Sequence, residues 1–112
     1  MIHVHELAGR PACGGKAAGR PVIVHSVSDL GKVEPGDILV AIETEAIYAP
    51  AMHRAGAIVT ERGGRFCHAA IWARENGKPT VLAVENATEA LSGAGRVEVD
   101  ADTGLIRWKT QA

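Results

Sequence analysis

Residues Thr60 to Pro79 read TERGGRFCHAAIWARENGKP, and the fold prediction rests on this stretch. The apolar segment AIVT (57–60) leads into two adjacent glycines, Gly63 and Gly64, and an Ala-rich segment begins at His68. This order predicts a strand, then a glycine turn, then a short helix that ends before the next glycine-proline pair. His68 therefore lies in the first turn of the predicted helix.

A histidine at a helix start, beside two glycines, is suited to phosphoryl chemistry. The first N–H groups of a helix have no acceptor within it and carry partial positive charge, which makes an anion site. The same charge disfavours the imidazolium form of His68, so a ring nitrogen keeps a lone pair for attack on phosphorus. Gly63 and Gly64 allow the main chain to form a nest for phosphoryl oxygens. The residues predict that His68 accepts and passes on a phosphoryl group; the alternative is a surface histidine that only caps the helix.

The stretch resembles the signature of the mobile, swivelling phosphohistidine domain of phosphoenolpyruvate-utilising enzymes, T-x-x-G-G-x-x-[STC]-H-[AGT]-A-[IV]-x-[AS]-R-x-x-G-x-P. The matching residues are Thr60, Gly63, Gly64, Cys67, His68, Ala69, Ala70, Ile71, Ala73, Arg74, Gly77 and Pro79. Upstream, Gly36 to Val40 resembles the family's PGDILV strand, although Thr44-Glu45-Ala46 stands where the family has Thr-x-Pro. Val97 to Gly104 resembles its closing hairpin, and cysteine before the histidine is most similar to the phosphoenolpyruvate synthase branch. The resemblance implies a single swivelling β/β/α domain over residues 1–112.

The resemblance also implies roles for individual residues. His68 is the implied phosphorylated residue, and Thr60 is the implied partner whose hydroxyl bonds the imidazole and fixes its tautomer. The alternative for Thr60 is a bond to the local backbone. The predicted phosphate-binding residues are Gly63, Gly64, Arg65, Cys67 and Ala69. A guanidinium matches phosphate bidentately, which is the reason for including Arg65; the alternative for Arg65 is a solvated loop residue. Arg74 is interpreted as an anchor between helix and loop.

Partners follow from the same resemblance. Family enzymes join this domain to an ATP-grasp nucleotide-binding domain, a phosphoenolpyruvate- or pyruvate-binding domain, or both. The 112 residues contain no GxxxxGK[ST] loop and have no room for a nucleotide-binding domain. We therefore expect no cofactor on this chain itself, with Mg²⁺ and ATP or phosphoenolpyruvate on the partner. The chain is either a free-standing carrier subunit or part of a longer enzyme, and Met1 favours the first.

Along the rest of the chain, strands alternate with short helices, which predicts the α/β class. The predicted strands are 2–7, 21–25, 38–42, 57–60, 80–84, 96–100 and 105–108, and the predicted helical segments are 28–32, 49–54, 68–76 and 86–91. Ser28 is a possible helix cap, and Asn86 with Glu89 resembles a capping box. Phe66 is predicted to share a helical face with the alanines that follow it. The glycine-rich segment 9–19 is predicted to be irregular.

Bulk properties narrow the function classes. Twelve basic and 13 acidic residues give a net charge of −1, which favours neither a nucleic-acid groove nor an anionic membrane. No apolar run is long enough to span a bilayer, and the first residues lack the pattern of a secretion signal. Cys13 and Cys67 are therefore expected to be reduced thiols in a cytoplasmic protein.

Two alternatives to a phosphoryl carrier remain open. The first is a non-catalytic regulatory or adaptor module that retains the fold. The second is a metal-binding protein using His3 and His5, whose H-x-H spacing puts both rings on one face of a strand. Because no third ligand is evident in the sequence, no metal site is predicted.

Overall fold

A computed structural model describes residues 1–111, and their strands form two sheets. The strands are β1 (Ile2–Ala8), β2 (Arg10–Cys13), β3 (Lys16–Gly19), β4 (Pro21–Val24), β5 (Ile38–Ala41), β6 (Ala57–Thr60), β7 (Thr80–Leu82), β8 (Val97–Asp100) and β9 (Leu105–Gln111). The α-helices are α1 (Ala49–Arg54), α2 (His68–Asn76) and α3 (Ala87–Ala90), with 3₁₀ helices at Val27–Lys32 and Ala46–Tyr48. None of the helices within residues 1–111 has the length and apolarity needed to cross a bilayer.

The two sheets differ in strand direction. One has the order β1-β9-β8-β3 and is antiparallel throughout. The other has the order β2-β7-β6-β5-β4, in which β4 to β7 run parallel and β2 is antiparallel to β7. Every residue of β5 and β6 is buried, as expected for parallel strands covered on both faces. Parallel pairing also brings the carboxyl ends of β5 and β6 to the same edge of the sheet.

Alternate residues of the central strands face two separate hydrophobic clusters. Ile38 and Val40 pack between the sheets, in a cluster that includes Ile106 of the antiparallel sheet. Leu39 points to the other side, into a cluster that includes Met52 of α1. A third cluster forms where Ala69 and other residues of α2 pack on β7. The chain therefore has three layers, and the predicted α/β class with β/β/α layering is confirmed.

The prediction that residues 9–19 are irregular is wrong. This segment contains β2, which pairs with β7, and β3, which pairs with β8. Its glycines serve close packing: at Gly19 a Cβ atom would collide with the carbonyl oxygen of Gly36. The glycine content therefore reflects close contact between neighbouring backbones rather than disorder.

Two helix starts also differ from prediction. The 3₁₀ helix begins at Val27 with Ser26 as its N-cap residue, because the Asp29 carboxylate accepts hydrogen bonds from the N–H groups of His25 and Ser26. This carboxylate also forms an ion pair with Lys32. The hydrogen bond from Lys32 is the main reason that the pKa of Asp29 falls to about 2.

At α3 the predicted capping box is absent. Asn86 adopts a left-handed backbone (φ 63°) and makes no side-chain capping bond. Instead the carboxylate of Glu61, from a distant part of the sequence, accepts hydrogen bonds from the N–H and hydroxyl of Thr88. These bonds lower the pKa of Glu61, and they tie the segment after β6 to α3.

Candidate functional site

The first residue of α2 is His68, as the sequence predicts. Cys67 is the N-cap residue with an extended backbone (φ −71°, ψ 163°), and its carbonyl accepts the Ile71 N–H at 3.1 Å. At the other end Gly77 takes the left-handed conformation (φ 65°) that commonly ends a helix. The helix is thus nine residues long, with His68 at its positive end.

Small side chains fix α2 close to the parallel sheet. Ala69, Ala70 and Ala73 are buried, and the first two pack against Leu82 of β7. Phe66 does not share this face: it precedes the helix and is 79% exposed. The sequence-based grouping of Phe66 with the alanines is therefore wrong, because helical geometry begins only at residue 68.

The imidazole of His68 is held by a residue that follows the neighbouring strand. The Oγ1 atom of Thr44 lies 2.8 Å from Nδ1 of His68. Thr44 is buried, and His68 is half-buried. When Nδ1 carries the ring proton and donates it to Thr44, the opposite nitrogen, Nε2, is left with a free lone pair. This tautomer is the one required for nucleophilic attack by Nε2.

Thr60 does not make the hydrogen bond that the sequence analysis assigns to it. Its hydroxyl is fully buried and donates to the carbonyl oxygen of Arg62 at 2.7 Å. Thr60 thus stabilises the start of the loop between β6 and α2, which is the alternative of a bond to the local backbone. The threonine that contacts the imidazole is Thr44, which occupies the position of the family's Thr-x-Pro. The match of Thr44 to the family's Thr-x-Pro, together with the parallel pairing of β5 and β6, could have identified Thr44 as the partner of the imidazole.

The glycine loop is fitted closely around Cys67. Gly63 has φ +133°, and a Cβ atom there would lie 2.9 Å from the Cys67 Sγ atom. The carbonyl of Gly64 accepts the Cys67 N–H at 3.1 Å. This N–H is therefore bonded inside the loop, whereas the first N–H groups of α2, at His68 and Ala69, have no acceptor within the helix. No side chain caps them.

Arg74, the arginine of the signature, contacts Arg65 beside the loop. A guanidinium nitrogen of Arg74 donates to the Arg65 carbonyl oxygen at 2.7 Å, so Arg74 anchors the helix to the loop, as interpreted from the sequence. The guanidinium of Arg65 lies 5.7 Å from the centre of the Phe66 ring. Arg62 is exposed and contributes its backbone N–H to the carbonyl of Ile42 at 2.9 Å.

Four large exposed apolar side chains belong to the segments that contain Thr44 and His68. Ile42 and Ile47 flank Thr44 in sequence and are 40% and 55% exposed. Phe66 and Ile71 lie on either side of His68 in sequence, and Ile71 is 43% exposed. These four residues, which we call the apolar rim, occupy the segments that hold the imidazole in place. Large exposed apolar groups concentrated at one site are typical of surfaces that contact another protein.

His5 and His53 make their contacts away from Thr44 and His68. His53 packs edge-on against Trp72, with ring centres 4.8 Å apart. His5 stacks on Trp108 and hydrogen-bonds Thr110. Within residues 1–111 no three His, Cys, Asp or Glu side chains gather closely enough to hold a metal ion, so the pair that includes His3 has no third ligand there.

The family described as "PEP-utilising enzyme, mobile domain" matches residues 33–104. Phosphoenolpyruvate synthase of Pseudomonas aeruginosa (strain UCBPP-PA14) is 48% identical over 99 residues, which cover 85% of this chain but 12% of that protein. The chain thus corresponds to a small part of the length of such relatives.

Two solved structures are similar in fold. A solution NMR structure of an Enzyme I protein matches with a TM-score of 0.56 and 28% identity, over 69% of this chain and 32% of that one. Aconitase X of Thermococcus kodakaraensis matches with a TM-score of 0.68 and 22% identity, over 96% of this chain and 99% of that one, and at this identity the likeness concerns the fold alone. With the family match spanning residues 33–104, this chain belongs to the mobile-domain family of phosphoenolpyruvate-utilising enzymes.

Proposed function

We propose that this chain is a phosphoryl carrier in which His68 is transiently phosphorylated. The observation that carries the proposal is the 2.8 Å contact between Thr44 Oγ1 and His68 Nδ1 at the start of α2. Because the threonine occupies Nδ1, Nε2 is the ring nitrogen that faces away from it and is left to carry the phosphoryl group. Family membership and the relatedness to phosphoenolpyruvate synthase agree with a role in phosphoryl transfer.

The proposed step forms one bond and breaks one. The Nε2 lone pair of His68 attacks phosphorus, and the bond from phosphorus to the donor's leaving oxygen breaks. The leaving group departs with that electron pair, as a nucleotide or as the enolate of pyruvate. The Nδ1–H group remains bonded to Thr44, so the positive charge that develops on the ring is stabilised by that hydrogen bond. Delivery to the acceptor reverses this step at a second site.

The phosphoryl oxygens have donors close to the ring. The N–H groups of His68 and Ala69 begin α2, and the positive end of the helix favours negative charge there. Gly64 adds no side chain to the loop, and the position of its Cβ atom is open. In this proposal Cys67 supports the loop rather than binding the phosphoryl group, since its N–H is engaged in an internal bond. The Arg65 guanidinium lies beside the Phe66 ring instead.

Other components of the reaction belong to partners in this proposal. An ATP-grasp nucleotide-binding domain, a phosphoenolpyruvate- or pyruvate-binding domain, or both, would hold the donor, the acceptor and Mg²⁺. The apolar rim (Ile42, Ile47, Phe66 and Ile71) provides the surface on which such a partner docks. The final acceptor in a phosphoenolpyruvate synthase-like reaction is pyruvate.

The direct test is phosphate incorporation in the presence of a partner. The chain is mixed with a related phosphoenolpyruvate synthase from which the mobile domain has been deleted, together with Mg²⁺ and either ATP or phosphoenolpyruvate. We expect acid-labile phosphate on His68, detected by peptide mass analysis, and none in His68→Ala. His53→Ala is the matched control and should incorporate phosphate normally. Full incorporation in His68→Ala would refute the proposal.

A further inference from the structure

Three arginines from separate elements line one cavity between α2, the glycine loop and β2. Arg10 lies at the start of β2, Arg65 in the glycine loop and Arg74 near the end of α2. The cavity has a volume of about 290 Å³, and its floor includes Ala70 and Leu82. Neither His68 nor Thr44 belongs to its lining.

This concentration of positive charge is not balanced locally. No carboxylate lines the cavity, although the chain as a whole carries 13 acidic and 12 basic residues. The ion pairs within residues 1–111 involve Arg20, Lys32 and Arg107, and none of the three cavity arginines takes part in one. Like charges that converge without a counter-charge repel one another, so an anion bound between them would relieve that repulsion.

The arrangement is partly preorganised for an anion. The bond from Arg74 to the Arg65 carbonyl fixes the position of its guanidinium, leaving its remaining N–H groups available. Guanidinium groups match the oxygens of phosphate in a bidentate manner, and three of them suit a tetrahedral dianion better than a single carboxylate.

We propose that Arg10, Arg65 and Arg74 form a second oxyanion site, which binds phosphate or a phosphate monoester. It is separate from the His68 site, because neither His68 nor Thr44 lines the cavity. Occupancy joins β2, the glycine loop and α2 through one ligand. Bound phosphate therefore stabilises the loop that positions His68, without occupying the place of the transferred phosphoryl group.

The test is a titration of the isolated chain with inorganic phosphate at constant ionic strength, followed by NMR. We expect saturable shifts at the amides of Ala70 and Leu82 and at the side-chain N–H of Arg74. Arg74→Gln and Arg10→Gln should each weaken binding roughly tenfold, the loss expected for charge-assisted hydrogen bonds. Arg62→Gln, at an exposed loop arginine outside the cavity, is the matched control and should leave the affinity unchanged.

Several outcomes would overturn the proposal. They are shifts that do not saturate, equal weakening in Arg62→Gln and Arg10→Gln, or shifts confined to the amides of Gly63 and Ala69, which would place phosphate at the His68 site instead. If Arg74→Gln loosens the loop, Arg10→Gln decides the question, because the Arg10 side chain has no hydrogen bond within residues 1–111. The result is independent of phosphohistidine formation, so failure of one proposal leaves the other standing.

Discussion

Thr44 and His68 are 24 residues apart in sequence, yet the hydroxyl of one lies 2.8 Å from Nδ1 of the other. The contact joins the carboxyl end of β5 to the first residue of α2. A buried threonine has few alternative rotamers, so it restrains the imidazole more strongly than solvent would. The orientation of the candidate nucleophile is therefore a property of the parallel sheet edge and not of the helix alone.

Replacing Thr44 with valine should slow phosphorylation of His68 by roughly fivefold, because one net hydrogen bond of about 1 kcal/mol to the ring is lost. Thr44→Ser keeps the hydroxyl and should retain most of the rate. The measurement is the time course of acid-labile phosphate incorporation with a partner enzyme. Equal rates for the valine and serine variants would mean that the hydroxyl does not act on the ring.

Alanine substitutions at Gly63 and Gly64 test how closely the loop is packed. Gly63→Ala should destabilise the domain by about 1–2 kcal/mol, because φ is +133° there and the new methyl group would contact Cys67 Sγ at 2.9 Å. Gly64→Ala should be nearly neutral for stability, since no atom lies within 4 Å of the position of its Cβ. Urea unfolding curves measure both. A Gly64 variant as unstable as the Gly63 variant would contradict this account of the loop.

Phe66 is expected to act in recognition rather than in folding. Phe66→Ser should change the free energy of unfolding by less than about 0.5 kcal/mol, because the side chain is 79% exposed. With a partner present, the same variant should raise the concentration needed for half-maximal phosphorylation several-fold. Val4→Ser, at an exposed residue of β1, is the control and should change neither quantity. A normal partner dependence for Phe66→Ser would remove Phe66 from the docking surface.

The Glu61 carboxylate predicts a specific pH dependence of stability. Its bonds to Thr88 lower its pKa in the folded state, so the stabilisation is complete above the ordinary glutamate pKa of about 4.3 and is lost as the pH falls through the lower folded value. Glu61→Gln should therefore cost about 1 kcal/mol at pH 7 and progressively less in acid. Urea unfolding at several pH values gives this difference. A difference that stays constant from pH 7 to pH 3 would show that ionisation is not involved.

Local sequence patterns predicted the central strands and α2 well, because continuous apolar runs and the Gly77 stop are strong signals. Contacts between residues that are far apart in sequence were harder to predict. Asn86 looked like a cap, but Glu61 fulfils that role from another part of the chain. Thr60 looked like the partner of the imidazole, but its hydroxyl bonds Arg62 while Thr44 reaches the ring. Hydrogen bonds of this kind depend on which strands are neighbours in the sheet, and the order of strands is not evident from a single sequence.

The alanines beneath α2 have a mechanical consequence. Ala69, Ala70 and Ala73 possess no rotatable side-chain bonds beyond Cβ, and none is more than 2% exposed. The helix therefore cannot tilt by exchanging rotamers, and lifting it would open an empty space against β7. If His68 moves between a donor and an acceptor, α2 and both sheets therefore move with it as one rigid body. The distance and direction of that movement are then determined by what the domain is attached to, not by the packing of α2.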